Sequence, residues 1–173
     1  MRSTTTAPGA ESSSAAPDAR AGKYLTFLIG KEEFGVGVLK VREIMGIQDI
    51  TAVPHTPAYL KGVINLRGKV IPVVDLRLKF SLPETAYTQR TCIVVVQVKG
   101  ASGPLLIRTV VDEVSEVLNL TLADIEDTPD FGANAGTNYI LGMAKVKDRV
   151  KILLDIDEVL SAKEIVGLET ALQ

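Results

Sequence analysis

An internal echo constrains this chain more than any other feature. The run Gly62-Val63-Ile64-Asn65-Leu66-Arg67-Gly68-Lys69-Val70-Ile71-Pro72-Val73-Val74-Asp75-Leu76 returns in degenerate form as Gly142-Met143-Ala144-Lys145-Val146-Lys147-Asp148-Arg149-Val150-Lys151-Ile152-Leu153-Leu154-Asp155-Ile156. Gly62 aligns with Gly142, Arg67 with Lys147, Lys69 with Arg149, Val70 with Val150 and Asp75 with Asp155. Upstream, Val38, Val41, Glu43 and Ile44 have the spacing shown again by Val111, Val114, Glu116 and Val117. Two echoes in the same order imply one supersecondary unit used twice. The copies also differ: the first carries Arg67-Gly68 at its turn and Pro72 in its second strand, and the second has neither. Function is expected where they diverge.

The runs between turn signals are short and β-rich. Tyr24 to Ile29 and Phe34 to Val41 flank Gly30-Lys31-Glu32-Glu33, and Glu43 to Ile47 continues the pattern before Pro54-His55-Thr56-Pro57. Ala58 to Lys61 suits one helical turn ahead of the 62–76 hairpin, and Ser81 to Thr85 reads as a linker. The second unit follows with Thr91 to Lys99, a Gly100–Gly103 turn, Leu105 to Val111, Val114 to Leu120, and a loop from Ala123 to Asn138. Such spacing predicts an all-β protein of small barrels or sandwiches. Each unit, at about 65 residues, is near the size at which a core barely sustains itself, so the two are expected to pack together. Residues 1–22, rich in Ser, Thr, Ala, Pro and Gly, read as a disordered tail, and 157–172 as a C-terminal amphipathic helix with Val159, Leu160, Ile165, Val166 and Leu168.

Several functions are disfavoured by composition. Nineteen Lys and Arg against 21 Asp and Glu leave a formal charge of -2, unlike the basic face a dedicated nucleic-acid binder needs. One cysteine and one histidine cannot make a disulfide or a zinc cluster. Cys92 lies in an apolar run, as a small buried thiol does, and His55 lies between prolines in a loop. Asp75 and Asp155, at matching strand ends, suit local hydrogen bonding better than catalysis. Neither Gly35-Val36-Gly37 nor Gly100 to Gly103 joins a strand to a helix as a phosphate loop would. No catalytic, cofactor-binding or metal-ligating residue is therefore expected, and with no apolar run long enough to span a bilayer the chain is expected in the cytoplasm. The competing functional class is a small β-barrel that binds nucleic acid or a peptide along a strand edge.

The string Leu60-Lys61-Gly62-Val63-Ile64-Asn65-Leu66-Arg67-Gly68, followed by Val70-Ile71-Pro72-Val73-Val74-Asp75-Leu76, resembles the signature of the CheW family of chemotaxis coupling proteins. Phe34-Gly35-Val36, Val41-Arg42-Glu43-Ile44, Val110-Val111-Asp112-Glu113-Val114 and Leu153-Leu154-Asp155-Ile156 extend the resemblance over residues 23–165. It implies two packed SH3-like five-stranded barrels, about 23–80 and 88–155, with exchange of strands between them left open. It further implies a non-enzymatic adaptor joining the cytoplasmic tip of a methyl-accepting chemoreceptor to the regulatory domain of the histidine kinase CheA. Carried over by position, Val41, Glu43, Arg67, Val114 and Val117 would bind the receptor, with Cys92 packing nearby. Pro129, Asp130 and Phe131 would make a further contact with the kinase in the receptor array. The chain departs from the family at Arg108-Thr109, where a small residue or glycine and then an apolar one are usual.

Overall fold

The computed structural model describes residues 19–100, 102–129 and 139–160. Most of the tail expected over 1–22, and the terminal helix expected over 157–172 beyond residue 160, lie outside them. The elements in chain order are β1 (Gly22–Ile29), β2 (Glu32–Gly37), a 3-10 turn (Val38–Lys40), β3 (Val41–Gly46), β4 (Leu60–Leu66), β5 (Lys69–Asp75) and α1 (Leu76–Lys79). Then follow β6 (Cys92–Gly100), β7 (Gly103–Val111), β8 (Glu113–Leu120), a second 3-10 turn (Leu122–Asp124), β9 (Ile125–Glu126), β10 (Ile140–Val146), β11 (Arg149–Leu154) and α2 (Ile156–Val159). The all-β expectation holds. Three details differ: residues 38–40 turn rather than extend the second strand, because the chain crosses there from one sheet to the other; Leu60 and Lys61 already belong to β4 instead of a helical turn, because Leu60 pairs with Val74; and Ile125–Glu126, inside the span expected as a loop, pairs with β10.

The strands form a six-stranded sheet, β9-β10-β11-β2-β1-β8, and a five-stranded sheet, β3-β6-β7-β5-β4. Each sheet takes one hairpin from one half of the sequence and its remaining strands from the other. Hairpin β1–β2 pairs with β8 on one side and, in parallel, with β11 on the other. Hairpin β6–β7 likewise pairs with β3 and, in parallel, with β5. The duplicated units are thus interlocked through their sheets.

Alternation along the strands explains the three clusters of buried side chains. Tyr24, Leu120, Ile125, Ala144 and Leu153 fill one face of the six-stranded sheet, and Ile64, Val73, Ile93, Val95 and Val110 one face of the five-stranded sheet. The largest cluster draws on both sheets, with Leu25, Phe27 and Val36 from one and Val74, Val94, Val96 and Ile107 from the other, so this shared core joins them. A file of stacked rings, Phe27, Phe34, Phe80 and Tyr139, with centroids 6.1, 5.5 and 5.6 Å apart, links β1, β2, the end of α1 and the approach to β10.

The repeated hairpins share their local devices. Arg67 and Gly68 lie at φ 53° and 81°, and Lys147 and Asp148 at 53° and 65°, the positive φ pair a two-residue type I′ turn requires. The turn thus survives the loss of glycine at position 148, at the cost of a left-handed aspartate. Asp75 and Asp155 each cap a short helix: Asp75 Oδ1 accepts from the Arg77 amide at 2.9 Å, and Asp155 Oδ1 from the Asp157 and Glu158 amides at 3.2 and 3.4 Å. Their role is structural. Gly62 and Gly142 both sit at a register shift in the first strand of the hairpin.

The helices also clamp turns of the opposite half, with inverted charge. Arg77 on α1 donates to Asp112 at 2.6 Å, and the same carboxylate oxygen accepts the Gly30 amide at 2.7 Å from the β1–β2 turn. Asp157 on α2 accepts from Lys40 at 2.7 Å and from the Lys99 amide at 2.9 Å, near the β6–β7 turn. Arg77 and Asp157 occupy equivalent places in the repeat, one as cation and one as anion.

Candidate interaction site

Strands β3 and β8 end the hydrogen-bonded order of their sheets, so each presents one edge that is unpaired among the described residues. They are also repeat equivalents. Val41 opens β3 and Val114 lies near the start of β8; both are half-buried and pack against the shared core. Beyond them the strands turn outward: Glu43 and Glu116 are exposed, Ile44 is 45% and Val117 56% exposed. Apolar side chains left in water beside a carboxylate, on both edges, give a surface able to bury area against a partner and orient it by charge.

Each strand carries a register irregularity near these residues. On β3 it lies between Val41 and Glu43, which place Val41 toward the shared core and Glu43 on the face of Val95. On β8 it is matched by Thr26 of β1, whose hydroxyl donates to the Glu116 carbonyl at 2.9 Å and accepts the Glu116 amide at 3.2 Å. Such bulges re-aim side chains on edge strands.

Arg67 stands elsewhere in the topology, exposed at the tip of the β4–β5 turn, on the far edge strand of the sheet that begins with β3. No hydrogen bond or ion pair joins it to Glu43 among the described residues. Of the second expected group, Pro129 is exposed at the end of a described segment, and Asp130 and Phe131 lie outside the described residues. Cys92 is half-buried at the start of β6, opposite Gly46, and its thiol donates to the Arg90 carbonyl at 3.3 Å. His55 is exposed with φ 61°. Among the described residues no group of His, Cys, Asp and Glu could hold a metal ion, and no helix is long and apolar enough to cross a membrane.

Two features escape the motif-based residue list. Tyr87 donates to the second carboxylate oxygen of Asp75 at 3.1 Å, and burial, reinforced by the Asp75 charge, pushes its phenol well above the usual range. Arg108 on β7 is wholly buried, with Nε, Nη1 and Nη2 unpartnered among the described residues. Burial pulls its guanidinium below the ordinary arginine range while the Glu43 charge opposes that. Only the unusual residue at 108 could have signalled this.

Two interlocked β-sheets with exposed apolar and acidic residues on equivalent edge strands define a β-rich protein-binding scaffold. Comparison with known proteins identifies which kind. A family model described as "CheW-like domain" matches residues 23–164. Among curated relatives, the chain is 38% identical over 143 residues to the chemotaxis protein CheW of Klebsiella aerogenes, covering 83% of this chain and 84% of that protein. It is 37% identical over 142 residues to CheW of Rhizobium meliloti, covering 82% and 89%. Among solved structures, the scaffolding protein TtCheW from Thermoanaerobacter tengcongensis superposes with a TM-score of 0.71 at 27% identity, covering 83% of this chain and 95% of that one. The chain belongs to the CheW family, the scaffold proteins of chemotaxis.

Proposed function

We propose that this chain is a non-enzymatic cytoplasmic adaptor that couples chemoreceptors to the histidine kinase CheA. The observation that carries the proposal is the pair of equivalent edge strands exposing Glu43-Ile44 and Glu116-Val117 beside the half-buried Val41 and Val114. On this reading Val41, Glu43, Val114 and Val117, with Arg67, meet the cytoplasmic tip of the receptor. Exposed apolar side chains supply the area, and Glu43 and Arg67 supply orientation. Pro129, Asp130 and Phe131 make the further contact with the regulatory domain of the kinase. An interface of modest area suits an assembly that must still respond to signals.

The test is reconstitution of receptor, kinase and adaptor with the single variants E43A and R67A. Both residues are exposed, so both variants are expected to stay folded, with the parent circular dichroism spectrum, while forming less of the ternary complex and activating less kinase. Parent-like assembly and kinase activity in both would remove Glu43 and Arg67 from the interface.

A further inference from the structure

The five-stranded sheet carries a buried arginine at a position where its repeat equivalent has glycine. The spacing that aligns Val38 with Val111 places Gly35 opposite Arg108. Gly35 lies on β2 between Thr26 and Leu153, and a methyl group there would come 3.0 Å from a Leu153 methyl, so Leu153 already takes that space. Arg108 lies on β7 between Val95 and Val73, the smaller residue that stands where Leu153 stands in the copy. An arginine side chain fits where a leucine has become a valine. Its stem can pack, but its guanidinium enters with nothing to receive it: all three nitrogens are buried and unpartnered among the described residues. Leaving such a group uncompensated is among the costlier arrangements in a protein.

The register points to what compensates it. Glu43 is paired with Val95, and Val95 with Arg108, so all three side chains stand on one face of the sheet, with Val95 between the two charged ones. Two strand spacings, about 10 Å between backbones, lie within the combined reach of an arginine and a glutamate side chain. Glu43 is on the edge strand, exposed, and placed on this face by the irregularity after Val41.

We propose that Arg108 is a positioning residue for Glu43: the guanidinium buried beneath Val95 is the counter-charge that holds the Glu43 carboxylate on the same face of the sheet. The pair ties the edge strand to β7 and sets where a partner meets the negative charge. The part concerning the partner rests on the proposed role of Glu43 in receptor binding, whereas the pairing itself does not.

A double-mutant cycle on the purified full chain tests the pair. E43Q is expected to lower the folding equilibrium constant about tenfold in the parent but less than about twofold in R108M, because the variant has no buried charge to abandon. Equal losses in the two backgrounds would overturn the pairing. Should R108M fail to fold, the 15N resonance of the Arg108 Nε–H group decides: it shifts on E43Q if the carboxylate faces it, and an unchanged resonance refutes the proposal. Binding of a receptor cytoplasmic fragment separates the two layers. With positioning at work, R108M weakens binding and adds nothing to E43Q; additive losses overturn positioning. If E43Q binds receptor like the parent while the stability coupling persists, Glu43 leaves the receptor interface and the charge pair stands. If E43Q weakens binding and no coupling is found, the interface stands and the charge pair falls.

Discussion

Gly62→Ala probes the point where the duplicated hairpin meets its surroundings. The backbone at Gly62 has φ +145°, and a β-carbon there would stand 2.0 Å from the Thr51 carbonyl oxygen, far inside contact distance. Thr51 cannot retreat freely, since its amide donates to Val63 at 2.9 Å and its carbonyl accepts from Val63 at 2.8 Å, an isolated bridge along the free edge of β4. Breaking both bonds costs about 2 kcal/mol, and holding alanine at this φ costs a further 1–3 kcal/mol or so, about 4 kcal/mol together. A domain of this kind is stable by roughly 5–15 kcal/mol, so the midpoint of thermal unfolding should fall by about 10 °C. Gly142→Ala is the internal control. Its φ is ordinary, and the added carbon would stand 2.9 Å from the Glu126 carbonyl oxygen and 3.0 Å from an Ile125 methyl, so the backbone at Glu126 must shift slightly, but the overlap is far smaller than the 2.0 Å at Gly62 and should cost about 1–2 kcal/mol. Urea unfolding followed by far-UV circular dichroism measures both. A Gly62→Ala variant within about 1 kcal/mol of the parent, or a Gly142→Ala variant that loses as much, would refute the argument.

Other substitutions examine the remaining contacts. Glu33→Gln leaves the buried Lys151 ammonium without its carboxylate partner, an expected loss of about 3 kcal/mol in chemical denaturation. Asp148→Gly relieves a left-handed aspartate in a turn that favours glycine and should stabilise the protein by about 1 kcal/mol in the same assay. Burial raises the Asp157 pKa, but hydrogen bonds from Lys40 and the Lys99 amide outweigh it and hold the carboxyl below its usual range. Its stabilising effect is therefore present above the unfolded value of about 4 and lost as pH falls through the lower folded value, so Asp157→Asn should cost more at pH 7 than at about pH 3. Tyr87 has the opposite sign: its raised pKa stabilises the fold below the unfolded value of about 10 and that benefit fades at higher pH, so Tyr87→Phe should flatten the alkaline loss of stability.

Much of the candidate interaction site is legible in the chain because the echo places it. Val41 with Val114 and Ile44 with Val117 are repeat equivalents, and the structure finds one pair leaning on the shared core and the other exposed on edge strands. Arg67 is legible as a turn residue, since a two-residue hairpin needs positive φ at its centre. Arg108 is visible in the sequence only as an oddity. Its burial follows from Val73 standing where the copy has Leu153, a comparison that needs the cross-strand neighbours of both positions.

Local pattern alone gives the duplicated unit, most of its strands, its hairpin turn and the local hydrogen bonding of its two aspartates, because backbone preference, side-chain alternation and short hydrogen bonds depend on neighbours in sequence. Alternation states which face of a strand is buried, but not beside which strand it lies. The pairing of hairpin β1–β2 with β8 and β11, and of β6–β7 with β3 and β5, was decided by tertiary structure. Long-range hydrogen bonding and the shared core determine that choice. It also decides which valines flank Arg108 and which carboxylate can answer its charge.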